Sequence, residues 1–341
     1  MSGGVQAVGV VGAGVMGAEI ALVAAIAGFH VTLVDVDAEA VGKGLAHAGR
    51  VADGHVARGR LEADVRDAAL ARIRIATSPA GLADADLVIE AVPERLALKQ
   101  QVLAGIAAGV RADVLVASNT SGLSITALAA SAPPVGRVVG LHFFNPASVM
   151  RLVEVIRGEG TTDQAAEVAA EFARALGKEP VSVRECPGFV VNRILVRAMA
   201  AAYRTSVGVD PAAADAAVVQ AGPAPMGPHA LGDLIGLDTL EAIRGDLMAA
   251  YGDRYDDGGV LAPMVAAGRL GRKTGGGFFV GPPGEVVPVP EGARQVGALY
   301  YAAARDEAQR IADEGVARVA DINTAMRLGT GWSEDVLAAT R

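Results

Sequence analysis

The sequence predicts an α/β chain in two parts. The first is a doubly wound, mostly parallel sheet with a helix–turn–helix excursion after its second strand, and the second is an all-α C-terminal domain. Three observations predict this. A strand, a glycine loop, a helix and a second strand follow one another within about thirty residues, which matches a βαβ unit. The later strands at 87–92 and 114–118 are short and apolar on both faces, as in a parallel sheet covered on both sides. From Pro187 onward strand signals nearly vanish.

Taken in order, residues 5–11 are a β-rich run bounded by glycine, and 18–27 read as a helix that Gly28 ends in the C′ position. Residues 31–34 form a second buried strand. Helices are expected at 38–52 and 62–73, where a simple crossover needs only one. The pair therefore projects from the sheet and is a candidate ligand-gripping element. A helix at 95–109 joins the strands at 87–92 and 114–118. Strands at 138–144 and 152–156 flank a polar, proline-containing loop at 145–151, and a helix at 163–176 with a short strand at 181–183 completes the domain. Residues 188–270 read as helical, and a Gly/Pro-rich stretch at 271–292 ends that domain. The expected segments are 1–186, 187–292 and an extra helical tail, 293–341. Residues 201–222 resemble 308–329 without a gap, with Gly208-Val209 matching Gly315-Val316 and Gly222 matching Gly329. A repeat and a chance likeness between alanine-rich helices both account for this.

With 52% apolar and 20% charged residues, the 341-residue chain has the composition of a soluble globular protein and not of a disordered one. The net charge of −8 argues against nonspecific nucleic-acid binding, yet leaves room for an anionic small ligand held in a local cradle. The single cysteine, Cys186, excludes a disulfide framework and a cysteine-rich metal site, and a reducing cytoplasm is the natural location; no metal is among the expected ligands. No basic segment precedes the apolar start, and the apolar stretch 20–34 is broken by His30 and too short to span a bilayer. Neither a targeting signal nor a membrane partner is expected.

Gly12-Ala13-Gly14-Val15-Met16-Gly17 is a G-x-G-x-x-G run between strand and helix. The first glycine permits the tight turn, the second admits a pyrophosphate, and the third lets helix and strand pack closely. Free amides at the helix N-terminus then face the phosphates. Asp35 ends the second strand, where a carboxylate can take the adenosine-ribose hydroxyls, and no arginine follows to meet a 2′-phosphate. NAD is therefore favoured over NADP. The plainer reading of Asp35 is a strand-end turn residue.

His142 stands at the end of an apolar strand before an Asn-Pro turn, and Glu154 lies within the apolar run 152–156. A buried glutamate is costly unless paired. If the two strands are neighbours, Glu154 orients one imidazole nitrogen and turns the other toward substrate, which is the arrangement of a general base. The bland alternative is a satisfied core histidine. Ser118-Asn119-Thr120-Ser121 ends another strand, and strand C-termini open onto the ligand crevice. Asn192 is the only amide near the start of the helical domain, and alone it would read as a surface residue.

Eight motifs in this order together resemble the L-3-hydroxyacyl-CoA dehydrogenase family over residues 5–280. They are the glycine loop, Ile89-Glu90-Ala91-Val92-Pro93-Glu94, Asn119-Thr120-Ser121, His142-Phe143-Phe144-Asn145-Pro146, Leu152-Val153-Glu154-Val155-Ile156, Pro187 to Arg193, Met226-Gly227-Pro228 with Gly236-Leu237-Asp238, and Gly271-Arg272-Lys273-Thr274-Gly275. The resemblance implies a Rossmann domain that binds NAD and oxidation of the 3-hydroxyl of an acyl-CoA. His142 would be the base, Glu154 its partner, and Ser121 and Asn192 the hydrogen-bonding partners of the reacting oxygen. Glu94, Lys99, Asn145 and Lys273 match positions around the nicotinamide half of NAD. The chain has four lysines, and two of them fall in these motifs.

The sequence departs from the family in the excursion, where relatives grip coenzyme A through a serine and a lysine. Here the stretch offers His47, Arg50, His55, Arg58 and Arg60. The tail is also longer than compact members need. Multifunctional relatives carry a second copy of the helical domain, and the echo at 308–329 resembles the beginning of one. Family members commonly form homodimers through the helical domain. Three other readings stand beside this one: a sibling dehydrogenase acting on a free hydroxy or sugar acid, a nonenzymatic crystallin-like NAD binder, and an interaction module built on the tail.

Overall fold

The computed structural model describes residues 4–281 and 289–337. Parts of the three expected segments (1–3, 282–288 and 338–341) lie outside the described residues. The chain divides into two compact units, residues 1–185 and 186–341.

The first unit is built on one eight-stranded sheet: β1 (Ala7–Val11), β2 (His30–Val34), β3 (Ile73–Ala76), β4 (Leu87–Glu90), β5 (Leu115–Ser118), β6 (Val138–Phe143), β7 (Leu152–Arg157) and β8 (Glu179–Arg184). The spatial order is β3-β2-β1-β4-β5-β6-β7-β8. The chain winds outward from β1 in one direction and from β4 in the other, so the sheet opens a crevice between them at the strand C-termini. All neighbours are parallel except β6 and β7.

Helices α1 (Val15–Ile26), α2 (Ala38–Ala57), α3 (Ala63–Ala71), α4 (Leu96–Gly109), α5 (Ile125–Ala129) and α6 (Asp163–Ala175) connect the strands. α1 and α6 share one apolar cluster with the alternate strand residues Val8, Val10, Val31, Leu33, Val139 and Leu141. Each fully buried valine or leucine there contributes about 1.5–3 kcal/mol. The rings of Phe29 and Phe172, 5.2 Å apart, close that layer. The excursion is rooted tightly. A Cβ on Gly44 of α2 would lie 2.5 Å from the Ala13 carbonyl oxygen. Asp37 starts α2 by accepting the Ala40 amide at 2.7 Å, and the helix runs five residues beyond the expected end at 52.

Two elements differ from expectation. The helix expected at 62–73 stops at Ala71, and residues 73–76 form β3. This is an edge strand of four residues with Arg74 and Ile75 turned outward, so it lacks the two-sided apolar run that marks its neighbours. The five-residue α5 was not anticipated; Ser124 caps it by accepting the Ala127 amide.

The second unit contains only helices among its named elements: α7 (Val191–Thr205), α8 (Pro211–Ala221), α9 (Pro228–Ile235), α10 (Leu237–Tyr251), α11 (Leu261–Ala266), α12 (Arg294–Asp313) and α13 (Val319–Thr330). α12 lies along both α7 and α8. A Cβ on Gly297 would stand 2.5 Å from the Ala217 carbonyl, so only glycine permits this approach to α8. Arg193 of α7 is fully buried, with Nε 2.7 Å from Glu307 of α12, both terminal nitrogens on Glu314 and its guanidinium 4.2 Å from the Tyr251 ring centre. Glu307, equally buried, also holds Arg254 at 2.9 Å. A second buried histidine, His229, has Asp215 at 2.8 Å and Ser206 at 3.1 Å. It packs edge-on against Phe278 inside the helices, so this Ser–His–Asp set is a structural network.

Candidate active site

The glycine loop leaves β1 with Gly12 at φ +103°. A Cβ there would sit 2.7 Å from the Ala91 carbonyl oxygen, and a Cβ on Gly17 would sit 1.8 Å from the Gly12 carbonyl oxygen. Gly12 and Gly17 therefore hold β1, β4 and α1 together at backbone distance. A Cβ on Gly14 would meet nothing within 4 Å, so that glycine faces open space. Gly14 is also the N-cap of α1 and supplies no side chain to the amides of its first turn, where Val15 is exposed and Met16 half-buried. Those amides lack intrahelical acceptors by geometry. The open space above the helix start is what a pyrophosphate needs.

Asp35, just past β2, accepts the Ala13 amide at 2.6 Å and the Val36 amide at 2.7 Å. It braces the loop while its half-buried carboxylate stays at the crevice rim. Val36, 86% exposed, adds an apolar surface beside it. Glycines, helix start and rim carboxylate together fit a dinucleotide.

At the C-terminal ends of β4 and β5, Glu94 accepts the Thr120 hydroxyl at 2.6 Å and the Ser121 amide at 2.8 Å through one oxygen. Its other oxygen is 3.3 Å from Lys99. Lys99, expected at the cofactor, lies behind Glu94 and is only 1% exposed. Its ammonium group reaches the Glu90 carboxylate at 2.7 Å and the Val92 carbonyl at 2.9 Å. Glu90 has no solvent exposure and also accepts the Ser118 hydroxyl and the Val92 amide, each at 2.6 Å. Glu90 lies within the Ile89–Glu94 motif but has no role among the expected site residues. A carboxylate inside an apolar strand was the available signal, the same one that singled out Glu154.

The antiparallel register sets His142 directly opposite Glu154. His142 Nδ1 lies 2.7 Å from Glu154 Oε2, with the residues 5% and 0% exposed. The Phe144 ring lies 4.5 Å from the imidazole, centre to centre. Asn119 Oδ1 accepts the Phe143 amide at 2.9 Å and ties the β5 loop to the end of β6. Ser121 and His142 therefore sit on neighbouring strand ends, fixed from below by Glu94 and Glu154. Asn145 is exposed in the loop after β6.

Asn192 and Lys273 belong to the second unit. Asn192 lies half-buried in the first turn of α7. Lys273 pairs with Asp238, whose carboxyl is held below its ordinary range chiefly by that hydrogen bond. In the excursion, Arg58 bonds the Gly54 carbonyl, and His47 Nε2 lies 3.5 Å from the buried Glu19. His55 and Arg60, with Ser148 and Lys178, line a cavity of about 300 Å³. Burial, then Arg60 and Arg58, lower the His55 pKa below its usual value.

The 3-hydroxyacyl-CoA dehydrogenase NAD binding domain model matches residues 7–186, and the model of that family's C-terminal domain matches 188–281. The chain belongs to the 3-hydroxyacyl-CoA dehydrogenase family. Its first unit is the family's NAD-binding domain. A probable 3-hydroxybutyryl-CoA dehydrogenase of Deinococcus radiodurans is 40% identical over 274 residues, 80% of this chain and 98% of the relative. The fatty acid oxidation complex subunit alpha of Pseudomonas syringae pv. tomato is 39% identical over 279 residues, 81% of this chain, and the match spans 39% of that subunit. Among solved structures, 3-hydroxybutyryl-CoA dehydrogenase from Escherichia coli superposes with a TM-score of 0.89 at 31% identity, covering 98% of this chain and 90% of that one. The (S)-3-hydroxybutyryl-CoA dehydrogenase of Ralstonia eutropha gives 0.77 at 41% identity, over 81% of this chain and 99% of its own. The Escherichia coli structure thus reaches into the α12–α13 tail of this dehydrogenase family member. Among the described residues no helix is long and apolar enough to cross a membrane, and no His/Cys/Asp/Glu group could hold a metal ion.

Proposed function

We propose that this chain is an NAD-dependent dehydrogenase that reversibly oxidises the 3-hydroxyl of a (3S)-3-hydroxyacyl-CoA to the 3-ketoacyl-CoA, in fatty-acid or short-chain acyl-CoA metabolism of the cytoplasm. The observation that carries this reading is the buried His142–Glu154 pair at 2.7 Å on adjacent strands of an NAD-binding sheet. A buried carboxylate paired with an imidazole stabilises the imidazolium that forms when the ring takes a proton.

His142 Nε2 accepts the hydroxyl proton while Nδ1 stays on Glu154. Ser121 and Asn192, by the family resemblance, hydrogen-bond the reacting oxygen. Bound NAD supplies the hydride acceptor for C3. The residues that hold it are Gly12, Gly14, Val15, Met16 and Gly17 at the pyrophosphate and Asp35 at the adenosine ribose. The resemblance adds Glu94, Lys99, Asn145 and Lys273 at the nicotinamide half; Lys99, buried beside Glu94, would act there through that carboxylate. The anionic coenzyme A portion would lie against the excursion, whose stretch 43–60 offers His47, Arg50, His55, Arg58 and Arg60 where relatives use a serine and a lysine. Its binding energy, realised away from C3, positions the reacting carbon.

We also read the tail as a partial second copy of the helical domain. Gly208 and Gly315, matched in the echo, both adopt left-handed backbone at the turn after their helix, with φ +82° and +65°. The second matched pair does not correspond: Gly222 caps α8, whereas Gly329 lies within α13. Homodimer formation through the helical domain, as in relatives, remains part of the proposal.

Replacing His142 by Gln tests the central assignment. Oxidation of NADH with acetoacetyl-CoA should fall by about 10²–10⁴-fold, with NAD affinity retained. Turnover near that of the unaltered enzyme refutes the role.

A further inference from the structure

We propose that Glu90 is a positioning residue that neutralises Lys99, so that Glu94 keeps its negative charge at the nicotinamide end of the crevice and biases the site toward the oxidised cofactor. The inference rests on the reading that Glu94 faces the nicotinamide.

Lys99 has three donors and three acceptors around it. The shortest contact to a carboxylate is with Glu90, at 2.7 Å, and the longer one, at 3.3 Å, is with Glu94. Lys99 and Glu90 are both sealed in protein, whereas the Glu94 side chain is 42% exposed. In the apolar surroundings of β4 and α4 a lone ammonium would be costly, and a lone carboxylate equally so. Their pairing cancels inside the protein. Ser118 and the Val92 amide complete the Glu90 hydrogen bonds and fix its carboxylate in place. The cluster carries one net negative charge, and its solvent-facing end is Glu94. Through its other oxygen Glu94 holds Thr120 and the Ser121 amide, so the same chain of contacts places the loop that carries Ser121.

A negative charge near the nicotinamide distinguishes the two cofactor forms. The oxidised ring is a cation and the reduced ring is neutral, so the charge favours NAD⁺ over NADH. Without Glu90, Lys99 would have Glu94 as its remaining carboxylate and the cluster would be neutral. The ratio of dissociation constants for NAD⁺ and NADH reads this directly, and a purely structural lesion weakens both forms together.

The test is calorimetric titration of the full-length chain with NAD⁺ and with NADH, with thermal melting as the folding control. In Glu90→Gln the NAD⁺-to-NADH ratio of dissociation constants should rise about threefold to tenfold, as expected for loss of one unit charge partly screened at the crevice rim. Glu94→Gln, at a more exposed position, should raise it at least as much. The double variant Glu90→Gln/Lys99→Met removes both buried charges and leaves Glu94 alone, so its ratio should return to that of the unaltered chain despite greater damage to the network. A shift in Glu94→Gln without one in Glu90→Gln overturns the proposal. So does a double variant no better than the single one. An unchanged ratio in Glu94→Gln overturns the placement of Glu94 at the nicotinamide, and the proposal with it.

Discussion

Glu154→Gln isolates what the buried carboxylate does for His142. The substitution keeps size and one hydrogen-bond acceptor but removes the charge, so the 2.7 Å contact survives with a neutral partner. With charge centres about 4 Å apart and an effective dielectric constant near 20, the carboxylate–imidazolium attraction is about 4 kcal/mol. The amide dipole recovers part of this. A net loss of about 3 kcal/mol falls on the state in which His142 holds the substrate proton and corresponds to a kcat reduced by about 10²-fold. In the oxidation direction the ground-state complex carries the ring as the proton acceptor and should be little affected, so KM for (3S)-3-hydroxybutyryl-CoA and affinity for NAD should hold. Steady-state NADH formation from (3S)-3-hydroxybutyryl-CoA and NAD, followed by absorbance, provides kcat and KM; calorimetry provides NAD affinity. A kcat near the original value would show that Glu154 serves packing alone, and the proton-transfer argument would fail.

Glu307→Ala should leave two guanidinium groups, those of Arg193 and Arg254, without their shared buried carboxylate. Breaking such a pair costs about 3–5 kcal/mol, a fall in Tm on the order of 10 °C for a domain of this size; an unchanged melting curve would contradict the packing of α12 on α7. The glycine loop separates folding from binding. Gly14→Ala should melt as the unaltered chain does without cofactor, since its Cβ has open space, yet bind NAD more weakly, whereas Gly17→Ala should lose stability as well because its Cβ overlaps the Gly12 carbonyl. Equal stability of the two variants would refute the distinction. Burial pushes the Asp86 carboxyl upward, but the amides of Gln6 and Ala7 and the Arg111 guanidinium outweigh it and hold it below the usual carboxylate range. A depressed folded pKa contributes stability above the unfolded value and loses it as pH falls through the folded one. The stability penalty of Asp86→Asn should therefore be full at neutral pH and fade in acid, which melting at stepped pH would reveal; a penalty independent of pH would refute the charge argument.

The parts of this fold that were legible are those whose signal is local. The β1–glycine–α1–β2 unit declares itself in a few tens of residues because turn chemistry and burial coincide there. His142 and Glu154 were legible as a pair because a charge inside an apolar strand demands an explanation. β3 was not, since an edge strand with an outward arginine has neither two-sided burial nor clean alternation. Glu90 carried the same signal as Glu154 but lacked an adjacent histidine to give it a chemical reading; its partners Lys99 and Ser118 come from α4 and β5 and meet it only in the folded sheet. The buried bridge from Arg193 to Glu307 joins residues far apart in sequence, which pattern does not report. The same limit applies to Lys99: its motif suggested a cofactor contact, and only three dimensions reveal the carboxylate behind it.

The seating of α12 on α7 has a kinetic consequence. Because both helices are covalently part of one polypeptide, their association is a first-order event whose local concentration is set by the intervening chain and not by the amount of protein present. A helix docked from a separate molecule would leave on dilution, exposing the Arg193 charge and the apolar side of α7. Here the dock re-forms after every opening at a rate that dilution does not alter, so this part of the second unit should keep its structure at protein concentrations where a mass-action assembly would dissociate.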